Sequence, residues 1–160
     1  LGYCQAKPEP RGDIVISSNG GFPLDQNVYQ SVKGLTAAEA AAAEGAVLIM
    51  VSSCSDGHGG DSFYHALRDC ASPEALTDEI LATPQDQTKP DQWEYQILAR
   101  VLCKHHVIYV TAPEQRALIE DMKMSWAPDV DTALAKAREI KGKDAHLVVI
   151  PNGISVMVRE

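Results

Sequence analysis

Four short stretches of nearly unbroken apolar residues constrain this chain most: Asp13-Ile-Val-Ile-Ser17, Ala46-Val-Leu-Ile-Met-Val51, His106-Val-Ile-Tyr-Val110 and Leu147-Val-Val-Ile150. A strand with one wet face alternates apolar and polar residues, whereas a solid apolar run is buried on both faces. Helical stretches separate these runs, a pattern that gives βαβ units and a mostly parallel sheet. The expected fold class is α/β: a three-layer Rossmann-like sandwich with a mostly parallel sheet of four to five strands. In such sheets ligands sit beyond the carboxyl ends of the strands. A further β segment is expected at Ile154–Val158, after Gly153.

The punctuation between the runs predicts the helices. Asp25 is a good N-cap for a helix to Lys33, with Gly34 at its C′ position. Thr36-Ala-Ala-Glu39 has the spacing of a capping box and opens an Ala-rich helical stretch ending at Gly45. Asp61–Cys70 reads as the next helix, and Ser72-Pro73 opens another with proline at its first position. A polar loop, Pro84–Pro90, leads to Asp91-Gln-Trp-Glu94, which caps a helix to Lys104 whose apolar stripe is Trp93, Ile97 and Val101. Helices follow over Pro113–Met122 and from Asp129 or Asp131 to Lys141. No repeat or internal domain boundary shows. Residues 1–12 read as an extended linker and 13–160 as a single domain. The loop-like opening, without an initiator Met, suggests a piece of something longer.

With 160 residues, 45% hydrophobic and 22% charged, the chain is long enough to bury a core and too apolar to be disordered. It carries 22 acidic against 14 basic residues, a net charge of -8. No Lys/Arg cluster is present to neutralise phosphates, so neither a nucleic-acid partner nor an anionic membrane surface is expected. The longest apolar run is far short of the roughly 20 residues that span a bilayer. The cysteines at 4, 54, 70 and 103 have no CxxC spacing, so they read as reduced, core-lining thiols of a cytoplasmic protein and not as a zinc site or disulfide framework.

Two segments at the expected strand ends could carry chemistry. Gln26, Gln30 and Lys33 share one helix face, and Tyr29 neighbours Lys33 at i, i+4. An amide, a cation and a phenol together suit a small carboxylate or hydroxy acid, although the same pattern describes a plain solvated face. The second segment is Asp56-Gly-His-Gly-Gly-Asp61, in which His58 could serve as an acid or base and free glycine amides could meet an anion. A tight strand-to-helix turn needs the same residues. His105 and His106 read as structural, and Trp93 by default as core. No dinucleotide fingerprint, P-loop, HExxH or Ser-His-Asp order occurs.

The run Ile16-Ser-Ser-Asn-Gly-Gly-Phe-Pro-Leu-Asp-Gln-Asn-Val-Tyr-Gln-Ser-Val-Lys-Gly34 resembles the C-terminal domain of the nickel-pincer lactate racemases. Thr36–Glu39, Ser55–Gly60, Pro90-Asp-Gln-Trp-Glu-Tyr-Gln96 and Ile150-Pro-Asn-Gly-Ile-Ser-Val156 agree in order and spacing, so the resemblance spans nearly the whole chain. It implies an isomerase that interconverts the stereocentre of short 2-hydroxy acids such as lactate. The implied mechanism is hydride transfer to a nickel-pincer nucleotide, a pyridinium-3,5-bisthiocarboxylic acid mononucleotide of nickel tethered to a lysine. The tether, the nickel ligand and the catalytic histidines are implied to lie in an N-terminal domain that this sequence lacks. This chain is therefore expected to hold no catalytic or metal-binding residue, to bind no cofactor alone and to be inactive alone.

The positions that match the family's substrate pocket are Gln30, Lys33, Tyr29 and Trp93. Lys33 is implied to face the substrate carboxylate and Gln30 to donate a hydrogen bond. Asp56 and His58 stay as accessory candidates with no family role. The implied partners are the N-terminal cofactor-bearing domain and the hydroxy acid. The alternative function is a non-catalytic α/β module for a small anion or nucleotide on the same scaffold.

Overall fold

The apolar runs lie side by side, in register, in a computed structural model that describes residues 4–159. Along the chain come strands β1 (Cys4–Ala6) and β2 (Gly12–Ser18), helix α1 (Val28–Ala41), β3 (Ala42–Val51), and helices α2 (Asp61–Asp69), α3 (Pro73–Ala82) and α4 (Gln92–Lys104). There follow β4 (His106–Val110), α5 (Arg116–Asp121), β5 (Ser125–Ala127), α6 (Val130–Lys141), β6 (Leu147–Ile150) and β7 (Val156–Val158). Five strands form one parallel sheet in the order β5-β4-β3-β2-β6, and β1 pairs parallel with β7 in a separate ladder.

The solid apolar runs are explained by a sheet covered on both sides. Val15, Leu48, Met50, Val107 and Tyr109 point into a core shared with α1 to α5. Their neighbours Ile14, Val47, Ile49, Ile108 and Val110 point the other way, onto Ala133 and Ala137 of α6. Alternate residues of one strand thus feed two cores, as a fully buried strand requires. The α/β three-layer architecture matches the expectation, with five strands in the main sheet. No helix of the described residues is long and apolar enough to cross a membrane.

Several local expectations are corrected. Helix α1 is continuous to Ala41 and does not stop at Gly34; its N-cap is Asn27, whose side chain accepts from the Gln30 amide, and not Asp25. Gly34 ends nothing. It lets the helix lie against the sheet, where an added Cβ would come within 2.7 Å of Met50 Cε and 3.0 Å of the Ser18 carbonyl. Thr36 and Glu39 make no capping box, because Thr36 donates to the Lys33 carbonyl and Glu39 pairs with Arg100. Ala42–Gly45 belongs to β3, not to a helix.

The segment 1–12, expected as a linker, contributes β1; its first three residues, and the Cys4 thiol, lie outside the description. Strand β5 is also additional, tied to β4 by a Ser125 Oγ–His106 Nε2 bond of 3.0 Å. The expected Trp93–Ile97–Val101 stripe holds at Val101 and partly at Ile97, but not at Trp93. The buried face of α4 carries Gln92, Glu94, Tyr95, Leu98, Ala99 and Val101, while Trp93 is 54% exposed.

The loop after β6 closes on α1 at a second glycine. The Gly153 amide donates to the Ser18 carbonyl at 2.8 Å, and a Cβ on Gly153 would meet Ser17 Oγ at 2.6 Å and Gly34 Cα at 2.9 Å. Since a backbone atom is in the way, relief requires moving the helix. Gly153→Ala is expected to cost about 1–3 kcal/mol, the range for overpacking. At roughly 2–4 °C per kcal/mol for this size, Tm should fall by several degrees. An unchanged Tm would show that the loop does not pack this way.

Candidate functional site

All strands of the main sheet are parallel, so the loops after β2, β3, β4 and β6 gather at one edge. Fully buried Asn19 organises that edge. Its Nδ2 donates to the carbonyls of Leu24 and Gln30, and its Oδ1 accepts from the Gly34 amide at 2.9 Å. One side chain thereby fixes the β2–α1 loop against two turns of α1. The glycine-rich turn after β3 supplies the other clamp: Gly57 and His58 give their carbonyls to the amides of Val28 and Tyr29, each at 3.1 Å.

This arrangement engages two of the three glycine amides from which an anion site was expected in the second segment. The Asp56 amide donates to Gln26 O, Gly57 to Cys54 O, and Gly60 to His58 Nδ1. The His58 ring stacks on Tyr64 at 4.9 Å, with Nε2 3.6 Å from Asp61. Asp56 is exposed. The structure thus places His58 and Asp56 in the turn that seats α1.

The other four candidates come together on α1 and the start of α4. Lys33 Nζ donates to Gln30 Oε1 at 2.6 Å. With its oxygen occupied, Gln30 has its amide N–H groups left to offer, and Lys33 has further N–H donors. The pair presents several N–H donors, which suit a carboxylate. Tyr29 lies edge-on to Trp93 at 5.7 Å and to buried Phe63 at 5.3 Å, so α1, α4 and α2 meet through three rings. Burial first, then the nearby Asp91 and Glu94 carboxylates, holds the Tyr29 phenol above its ordinary pKa.

Sequence reasoning missed Phe63, Asp91 and Glu94. Glu94 is 2% exposed, and its Oε1 is buried without a partner. Burial pushes its pKa up to about 7, with Asp91 adding to the shift and Lys33 opposing it. The D-x-x-E spacing signalled a helix cap, but Asp91 makes no side-chain cap bond and sits at φ 60.

Lys33 and Trp93 are exposed and Tyr29 and Gln30 half-buried, so the four present a face to solvent. A cleft of about 440 Å³ between α2, α3 and α4 is lined by His65, Cys70, Glu79, Lys89 and Tyr95 among others, and by none of the four. Among the described residues no three His, Cys, Asp or Glu side chains are grouped to hold a metal ion. The Cys54 thiol, which follows β3, is fully buried, and burial raises its pKa to about 11.

Glu94 also makes a stability prediction. Its folded pKa near 7 lies above the ordinary 4.5, so between these values the folded state holds a proton that the unfolded chain has lost. Stability then falls as pH rises through that window, by about 3 kcal/mol at pH 8. Glu94→Gln removes this loss. The Tm of the variant minus that of the unmodified chain should grow from pH 5 to pH 8; a difference independent of pH would refute the perturbed titration.

Residues 7–158 match the family described as the lactate racemase C-terminal domain. The chain is 50% identical over all 160 of its residues to a lactate racemase of Thermoanaerobacterium thermosaccharolyticum, covering 37% of that protein. It is also 50% identical over 147 residues, 92% of the chain, to a lactate racemase of Lactiplantibacillus plantarum, covering 35% of it. It thus spans little more than a third of the curated relatives it matches. The solved lactate racemase apoprotein of T. thermosaccharolyticum superposes with a TM-score of 0.92 over 98% of this chain and 37% of that one. The chain belongs to the lactate racemase C-terminal domain family.

Proposed function

We propose that this chain is the part of a lactate-racemase-like isomerase that receives the carboxylate of a short 2-hydroxy acid. The observation that carries the proposal is the Lys33–Gln30 donor pair beside the Tyr29–Trp93 edge contact. Lys33 and Gln30 bind and orient the acid. Tyr29 and Trp93 wall one side of it, and Phe63 sets the tilt of Tyr29 from below. Positioning of this kind lowers the barrier by fixing the reacting carbon against groups elsewhere.

Among the described residues no three His, Cys, Asp or Glu side chains are grouped, which supports placing the nickel outside this chain. The nickel-pincer nucleotide and the acid–base histidines are assigned to an N-terminal domain of the same protein, the partner against which the open face closes. Hydride transfer at the substrate carbon then belongs to groups outside this chain. The isolated chain should not racemise lactate; turnover above a blank would reject this division of labour.

In the full-length holoenzyme, Lys33→Ala should lower kcat/KM for lactate by about 10- to 150-fold, the equivalent of roughly 1.5–3 kcal/mol for a charge-assisted bond. Because Lys33 is exposed in mid-helix, the cost in stability should stay within about 0.5 kcal/mol. Gln30→Ala should cost less than Lys33→Ala, and Lys33→Arg should rescue poorly, since a planar guanidinium is bulkier than an ammonium. If Lys33→Ala leaves kcat/KM within twofold with the cofactor loaded, Lys33 is a solvated helix residue and the pocket assignment fails.

A further inference from the structure

The start of α4 departs from a local rule. Asp91-Gln-Trp-Glu94 has capping-box spacing, in which the first side chain takes the amide of the fourth residue and the glutamate reaches back. Asp91 instead adopts the left-handed conformation without a side-chain cap bond, and Glu94 turns inward with Oε1 unpartnered. A buried acceptor without a partner calls for an explanation, and local inconsistencies of this kind gather at functional sites.

The surroundings of Glu94 supply the explanation. Its sequence neighbour Trp93 meets Tyr29 of α1 edge-on at 5.7 Å, and the charges that act on Glu94 come from Lys33 of α1 and from Asp91. From β4 comes Tyr109, whose hydroxyl is bound to Ser31 Oγ at 2.8 Å. The other elements packed on α4 bring apolar groups to the shared core: Phe63 and Leu67 from α2, Leu76 from α3, Leu48 and Met50 from β3. Lys33 is the cation among the described residues whose charge acts on Glu94. A ligand carboxylate on Lys33 would add a second anion to a site where one is already poorly solvated.

We propose that Glu94 is a positioning residue that governs how much of the Lys33 charge reaches the substrate, so that carboxylate binding is coupled to proton uptake by Glu94. Ionised, Glu94 offsets Lys33; protonated, it leaves the ammonium to the ligand. The step balances simply: a proton from solvent joins the Glu94 carboxylate as the ligand carboxylate arrives. The inference rests on the Lys33 assignment above. Glu94 is buried with Oε1 unpartnered, which favours the protonated carboxyl and pushes its pKa up to about 7, so binding above that pH takes up a proton and binding well below it takes up none.

The test is the KM for lactate of the full-length holoenzyme between pH 6 and 9, with the Glu94→Gln and Glu94→Met variants alongside. The unmodified enzyme should show KM rising by up to about tenfold per pH unit above 7, while both variants lack that rise and match it near pH 6. An apolar replacement of a buried acid is often well tolerated, so Glu94→Met keeps the test available if the glutamine variant folds poorly. Calorimetry needs no variant: equimolar D,L-lactate titrated into holoenzyme at pH 8, in two buffers of different ionisation enthalpy, should report close to one proton taken up per ligand. A pH slope shared by the enzyme and its variants, or no proton uptake, overturns the proposal. If Lys33→Ala leaves kcat/KM within twofold with the cofactor loaded, the pocket assignment falls and this inference with it. If Lys33→Ala raises KM while Glu94→Gln keeps the slope, the role of Glu94 alone is rejected.

Discussion

The seating of α1 against the sheet governs everything else in the site. It depends on two glycines and one asparagine. Gly34 and Gly153 approach so closely that neither has room for a side chain, and Asn19 stitches the β2–α1 loop to Gln30 and Gly34. These contacts set the depth and rotation of the helix, and so decide that Tyr29, Gln30 and Lys33 reach the sheet edge together. The Ser31–Tyr109 hydroxyl pair locks the same rotation from below. A buried polar network of this kind fixes geometry more than it adds stability.

Around that helix the electrostatics are asymmetric. The Lys33–Gln30 pair offers donors, while Glu94, buried at the start of α4, feels the charges of both Lys33 and Asp91. The aromatic contacts add shape: Phe63 is fully buried and Trp93 half-exposed, so Tyr29 is fixed on one side and adjustable on the other.

How legible all this was in the sequence follows from the range of the interactions involved. The strands were readable because a solid apolar run has few alternatives. Strands β1 and β5, three residues each, carry too little pattern to stand out. Gly34 misled because helix termination and close packing use the same residue, and only the neighbour across the gap distinguishes them. Asp91 and Glu94 misled for the same reason: a capping box and a buried acid share one spacing. Gln30 and Lys33 were visible as a helical repeat, but their direct bond and the Phe63–Tyr29–Trp93 contacts join separate elements and exist only after folding. The role proposed for them toward a substrate rests on family resemblance, since helix periodicity cannot distinguish a binding face from a wet one.

The small β1–β7 ladder has a mechanical consequence. Cys4 pairs with Val156 and Ala6 with Val158 in parallel, so a pull applied at residue 4 and residue 158 acts along the strands in opposite directions. Such a load is resisted in shear, by all the ladder bonds at once, and is not unzipped bond by bond. The three-residue clasp would meet tension before β2 or β6 does, shielding the main sheet, and α1 with it, from forces transmitted along the chain.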